Sequence, residues 1–379
     1  MPTLGRIHAL LARGCAQMHV TRRRALLAVV EAALRGGTLS LTSLGRALAG
    51  TAYVKHKIKR VDRLLSNRKL AAERDKIYEA LTRWLIGSQT QPVIIIDWSD
   101  LSADRRWHLL RAAAPMRGRS LTLYEEVHPL CRLANPQVQR RFLLRLRALL
   151  PASCTPIIVT DAGFRAPWFR LVQALGWQFV GRVRNRDFVR GAGSPDWMSG
   201  KSLYVRAHRR AQALGSFELV RARPLPCALW LLRQPQHHRV HRTRCGALAR
   251  SAHSLKCAAR EREPWLLASS ASLSTTPATQ IVAWYRMRMQ IEESFRDLKS
   301  TRYGLGLARS LSRRPERLAN LLLIAALALL ACWLIGLDTI ARTEHHRLQT
   351  NSSRHRAVLS VITIGRLVAY LAHHPLLTE

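Results

Sequence analysis

The sequence predicts an α/β protein, and three observations carry that prediction. Two short runs of β-branched and apolar residues, Val93-Ile94-Ile95-Ile96 and Pro156-Ile157-Ile158-Val159-Thr160, have the composition of strands buried on both faces, the habit of parallel strands. Each run is closed by an aspartate, Asp97 and Asp161. Helical spacing alternates with further strand-like runs around Asp161, and mostly helical segments flank the whole on both sides.

Residues 21–86 are expected to be all-helical. Residues 25–34 make one apolar-rich helix, Gly36-Gly37 breaks it, and Thr38 or Ser40 can cap the next, which carries Leu41, Leu44 and Leu48. Residues 55–67 then put Ile58, Val61 and Leu65 on one side of a helix and Lys57, Lys59, Arg60 and Arg63 around the rest, with Arg68 and Lys69 beyond. Helix, Gly-containing turn, helix and basic helix is the layout of compact DNA-binding modules, although a solvated bundle has the same pattern.

Beyond Asp97, residues 107–110 and 120–127 have strand character, 137–150 read as a helix, and the strand ending at Asp161 follows. Residues 164–175 are expected as a helix and 178–183 as a strand. From about 185 to 272 the pattern breaks into short pieces (202–206, 216–221, 228–232, 265–269) joined by polar, Gly- and Pro-containing loops, a mostly β insertion. His237, His238, His241, Cys245, His253 and Cys257 within it raise zinc, but their spacing matches no standard site and the arginines between them suggest a basic loop.

Residues 321–337 are free of charge and just long enough to touch the lower limit for a membrane span. The run is expected as a buried core helix, since it stands alone and follows directly on a functional stretch. Residues 341–379 return to polar and basic composition, with helical spacing at 356–371.

That functional stretch is WYRMRMQIEESFRDLK, residues 284–299. As one helix it would carry Tyr285, Arg288, Glu292, Arg296 and Lys299 along one face, and Trp284, Met287, Ile291, Phe295 and Leu298 on a stripe turned by roughly 100°. The second stripe can pack on a core while the first looks into a site. A solvated amphipathic helix is the plainer alternative. Against it stand the cations on both sides of Glu292 and the two aspartates upstream: Asp97, Asp161 and Glu292 could together hold hard divalent cations through oxygen. Asp100 would face the opposite side of the strand from Asp97 if the strand ran that far, or else lie past its end, and Glu293 is rotated off the polar stripe.

Tyr285, Arg288, Glu292 and Lys299 match in full the Y-(2)-R-(3)-E-(6)-K signature, and the chain resembles the transposases of the insertion-sequence-4 family, which are DDE enzymes. IIIDWSDL around Asp97, IIVTDAGF around Asp161 and EPWLLAS from Glu263 extend the likeness. The resemblance implies a ribonuclease-H-like catalytic core at residues 89–340, interrupted by the β insertion. It also implies a helical DNA-binding domain at 1–88 and a helical C-terminal region at 341–379 that helps pair two subunits. Asp97, Asp161 and Glu292 would be the catalytic metal ligands for two Mg²⁺ ions, with Mn²⁺ able to substitute. Tyr285, Arg288 and Lys299, joined by Arg296, would hold DNA phosphates, and Lys57, Arg60 and Arg63 would contact the transposon end. Water would free a 3′ end, which forms a hairpin on the opposite strand, is released again by water, and joins target DNA. Trp265 would receive a base displaced at the hairpin; its structural alternative is a core tryptophan of the strand at 265–269. A metal-dependent nuclease or an inactive DNA-binding relic remains the alternative function.

Composition agrees. With 61 Lys and Arg against 23 Asp and Glu, the net charge of +38 calls for a polyanionic partner, nucleic acid or an acidic membrane face; the resemblance implies double-stranded DNA, bound by a homodimer. Seven scattered cysteines without a CxxC pair and an amino end lacking an apolar h-region lead us to expect reduced thiols, no export and no membrane; the resemblance adds that the protein would be bacterial, cytoplasmic and nucleoid-associated.

Overall fold

The computed structural model describes residues 2–36, 38–102, 104–184, 187–235, 247–349 and 358–373. The chain opens with helices α1 (Pro2–Gly14), α2 (Val20–Leu34), α3 (Leu41–Ala47), α4 (Val54–Leu65) and α5 (Arg68–Ile86). Strands β1 (Val93–Asp100), β2 (Trp107–Pro115) and β3 (Ser120–Pro129) follow, then α6 (Pro136–Leu149), β4 (Ile157–Thr160), α7 (Ala166–Ala174) and β5 (Gln178–Val183). Next come β6 (Phe188–Gly191), β7 (Met198–Ser199), β8 (Gln212–Leu219), β9 (Leu225–Leu232), α8 (Ala252–Arg262) and β10 (Trp265–Ser270). Helices α9 (Ala278–Met287), α10 (Met289–Lys299), α11 (Pro315–Ala341) and α12 (Val361–Leu371) complete it. The chain is thus mixed α/β, in two compact units: Met1–Cys154 with Met289–Glu379, and Thr155–Arg288.

In the first unit β1, β2 and β3 form an antiparallel meander, with Asp97 opposite Arg111 and Arg111 opposite Glu125. Ile94, Ile95 and Ile96 are wholly buried, which fixes the strand whatever its edge residues do. The 321–337 run lies within α11, which packs against α1, α2, α4, α5, α12 and β3. Its most apolar window has a mean hydropathy of 2.6 and is 83% buried, so it is a core helix as expected. Helix α12 reaches it through two glycines: a Cβ on Gly365 would collide with the carbonyl of Cys332, and one on Gly336 with that of Val361.

The amino-terminal helices share this core. Thr82 of α5 donates to the carbonyl of Leu123 on β3 (2.9 Å). Ser40 caps α3 by accepting from the Ser43 N–H. Helices α3 and α4 cross closely because Gly45 has no side chain; a Cβ there would stand 2.7 Å from the Cα of Ile58. Helix α1, which lies ahead of the segment expected to be helical, buries Ile7 and Leu11.

In the second unit the strand order is β4-β5-β10-β9-β8-β6-β7. β4 and β5 are parallel and joined through α7, and the remaining pairs are antiparallel. Phe169 of α7 stacks on Phe179 of β5, with ring centroids 4.3 Å apart. The 185–272 region is mostly β as expected, with two corrections. Residues 202–206, expected as a strand, lie in a 3-10 run, Gly200–Arg206. Residues 252–262, expected as loop, form α8, capped by Ser251. Of the zinc candidates, His237, His238, His241 and Cys245 lie outside the described residues, as do the side chains of His253 and Cys257.

Candidate active site

Asp97 does not close its strand. β1 continues through Asp100, so Asp97 stands half-buried in mid-strand, where its Oδ1 accepts the N–H of Trp98 at 2.8 Å. Three residues on, Asp100 points to the opposite face, pairing with His108 (3.0 Å) and Arg105 (3.3 Å).

Helix α10 packs on β1, β2 and β3. Ser294 fastens it to the start of β3, its Oγ donating to the Ser120 carbonyl (2.7 Å), and Arg119 reaches it by donating from Nε to Asp297 (2.7 Å). Lys299, at its last turn, donates to Ser99 Oγ at 2.7 Å, and Ser99 shares a face of β1 with Asp97. Burial pushes the Lys299 ammonium below the usual lysine range; Asp100 and Asp97 oppose that push and Arg111 adds to it. Glu292 stands exposed in the first turn of α10, where a carboxylate is favoured by the helix dipole. Glu293 is turned aside as expected, bonded to Arg296 (2.8 Å) and 3.9 Å from Arg119. Arg296 is therefore engaged by its neighbour Glu293.

In the second unit Asp161 is the first residue after β4. Its Oδ1 accepts the Gly163 N–H at 2.8 Å, and a Cβ on Gly163 would crowd that oxygen. Tyr285 is buried, which raises its phenol's pKa; Arg288 and Arg182 pull it back, and Asp161 adds to the rise. The Arg288 guanidinium lies 5.9 Å from the Tyr285 ring centroid. Trp265, half-buried at the start of β10, meets the same ring edge-on, with centroids 4.8 Å apart. Arg182 on β5 acts on the Tyr285 phenol and is not singled out by the sequence; its only signal there is a cation in an otherwise apolar strand. Burial lowers its pKa, and it donates to the Glu263 carbonyl (3.3 Å).

The signature stretch is not one helix. α9 ends at Met287 and α10 begins at Met289, because the N–H of Arg288 bonds Tyr285 O at i−3 (3.1 Å) and the i−4 ladder is interrupted. Tyr285 and Arg288 thus belong to the second unit, and Glu292, Arg296 and Lys299 to the first.

On α4, Lys57 is half-buried and Arg60 and Arg63 are exposed. Of the α4 cations, only Lys59 is ion-paired among the described residues, with Asp62 at 3.6 Å. Also among the described residues, no three His, Cys, Asp or Glu side chains gather closely enough to hold one ion. Asp97, Asp161 and Glu292 nevertheless offer carboxylate oxygens, the donors hard divalent cations prefer.

A family model for the transposase DDE domain matches residues 88–331. Comparison with curated proteins gives no match. Among solved structures, the cryo-EM structure of a piggyBac transposase synaptic complex with hairpin DNA aligns at 11% identity and a TM-score of 0.43, covering 98% of this chain and 77% of that one. The family match runs from the turn after α5 into α11 and takes in Asp97, Asp161 and the whole signature, so the chain belongs to the family of transposases that carry the DDE domain.

Proposed function

We propose that this protein is a cut-and-paste DNA transposase of the insertion-sequence-4 family, built on a ribonuclease-H-like core. It binds the terminal inverted repeats of its insertion sequence, cuts at them and joins the 3′ ends to target DNA. The observation that carries the reading is the complete signature together with Lys299, which bonds Ser99 on the Asp97 face of β1. The antiparallel β1–β3 meander followed by the parallel β4/β5 pair supports the fold.

In this reading Asp97, Asp161 and Glu292 would hold two Mg²⁺ ions, with Mn²⁺ as a substitute, and the ions would supply activation of the attacking oxygen and stabilisation of the leaving one. Water attacks the scissile phosphodiester and frees a 3′-hydroxyl, which attacks a phosphodiester of the opposite strand to give a hairpin while the flanking DNA leaves with a 3′-hydroxyl. Water reopens the hairpin, and the freed 3′ end attacks target DNA. Lys299 steadies a phosphate as a point charge and Arg288 as a planar fork, with Tyr285 and Arg296 beside them. Trp265 offers a ring to the base that leaves the stack at the hairpin. Helices α1–α5 read the transposon end, with Lys57, Arg60 and Arg63 on its phosphates. Two copies act together in the DNA complex, aided by the C-terminal region. The setting is the bacterial cytoplasm, at the nucleoid.

A strand-transfer assay tests this: pre-cut transposon ends, a supercoiled target plasmid and Mg²⁺. Joined products are expected. Cleavage of ends with no joining would make the protein a nuclease, and neither step would make it a relic.

A further inference from the structure

Arg111 is an odd resident of a strand core. It lies at the centre of β2, 1% exposed, in the run Leu109-Leu110-Arg111-Ala112-Ala113. Its Nε donates to Glu125 Oε2 at 2.8 Å, and its Nη2 lies 2.7 Å from the same oxygen. Tyr78 of α5 donates to the other oxygen of Glu125, Oε1, at 2.9 Å. Nη1 of Arg111 is buried with no hydrogen-bond partner among the described residues. A buried ion pair with an unsatisfied donor is a poor way to stabilise a fold, since apolar residues of the same volume do as well or better. Its position suggests another use.

Arg111 is the direct cross-strand partner of Asp97, so the two side chains leave the sheet on the same face, their Cβ atoms about 5 Å apart as in any antiparallel pair. On that face the guanidinium lies 5.2 Å from the ring centroid of Phe295, on α10. The ammonium of Lys299 lies 5.6 Å from the same ring. One aromatic ring thus draws two cations. Arg111 is held by Glu125, whose other oxygen accepts from Tyr78, and Lys299 bonds Ser99, which shares the Asp97 face of β1.

We propose that Arg111, clamped by Glu125 and Tyr78, is a positioning residue that seats α10 through Phe295 and so sets Glu292 and Lys299 against Asp97. This rests on the reading of Asp97 and Glu292 as metal ligands. Arg111 touches neither DNA nor metal; it acts through the helix it seats.

The test removes the pair together, Arg111→Met with Glu125→Met, so that no charge is orphaned and the net charge is unchanged. Arg111→Lys serves as the second variant, keeping the ion pair and losing the planar group over Phe295. Three quantities are read on the full chain with transposon-end DNA: end affinity, the nicking rate, and the Mn²⁺ half-saturation followed by the EPR signal of the free ion. Both variants are expected to bind the end as the wild type does. The double variant should shift the Mn²⁺ half-saturation upward by roughly 10-fold or more, the scale of losses from supporting residues around metal sites, and slow nicking with it. Arg111→Lys should shift it in the same direction by a smaller factor. A merely structural role would lower the active fraction and leave the half-saturation where it was. Unchanged half-saturation in either folded variant overturns the proposal. Asp97→Ala separates this from failure of the underlying reading: if that variant also binds Mn²⁺ and nicks normally, the metal site itself has been misassigned.

Discussion

Replacing Trp265 by alanine separates a ring that serves DNA from a ring that serves the fold. Trp265 is only half-buried; it opens β10 opposite Leu232 and meets Tyr285 edge-on at 4.8 Å. A fully buried Trp→Ala change costs about 3–5 kcal/mol, so half of that burial with the ring contact points to about 2 kcal/mol. For a unit of this size that lowers Tm by roughly 4–8 °C and leaves the protein folded at assay temperature. A lost base receiver, by contrast, removes about 1–3 kcal/mol from the step that displaces the base, roughly a 5- to 150-fold drop in hairpin yield. First-strand nicking precedes that step and should stay within a factor of a few. The assay follows nicked and hairpin products on one labelled end substrate, beside a melting curve. Trp265→Phe, which keeps an aromatic face, should recover part of the hairpin yield. Nicking and hairpin formation that fall in step, or a hairpin yield that does not fall at all, would refute the reasoning.

Three other outcomes are expected. Neutralising Lys57, Arg60 and Arg63 should weaken end binding and flatten the log–log salt dependence by about 0.9 for each phosphate that these cations no longer neutralise; an unchanged slope in gel shifts would show that α4 faces elsewhere. Gly45→Val must part α3 from α4, costing about 1–3 kcal/mol in a urea melt and most of the end affinity; Gly5→Ala, inside α1 with no atom within 4 Å, is the control and should keep end affinity while gaining about 0.5–1 kcal/mol of stability. Lys299→Met removes an ammonium whose pKa burial holds below its ordinary 10.5. The unfolded chain binds that proton more tightly than the folded one, so wild-type stability should rise as pH climbs toward 10.5, and this component should be missing from the variant in paired melts.

Strands buried on both faces are legible because their apolar composition admits little else. β5 matches its expected span from end to end, and β1, β4, β9 and β10 differ from theirs only in extent. The end of β1 escapes the sequence because polar Trp98-Ser99-Asp100 reads as loop, whereas pairing to Leu110, Leu109 and His108 keeps it in the sheet. The interruption at Arg288 is invisible there because no Gly or Pro lies between Trp284 and Lys299, and a change from i−4 to i−3 bonding leaves no compositional trace. Helix α8 and the 3-10 run at Gly200–Arg206 are hidden in polar sequence that reads as loops and short strands. At the site, Asp97, Asp161 and Glu292 stand out because their residue types and spacing are themselves the signal. Arg182 and Arg111 do not, because a cation within an apolar strand acquires meaning only once its cross-strand and helical neighbours are known.

The most direct test of the account is cleavage of a transposon-end duplex in Mg²⁺ by Asp97→Ala, Asp161→Ala and Glu292→Gln, with end binding measured on the same preparations. All three should bind the end with near wild-type affinity and leave it uncut; normal nicking by any one of them would contradict its place in the catalytic set.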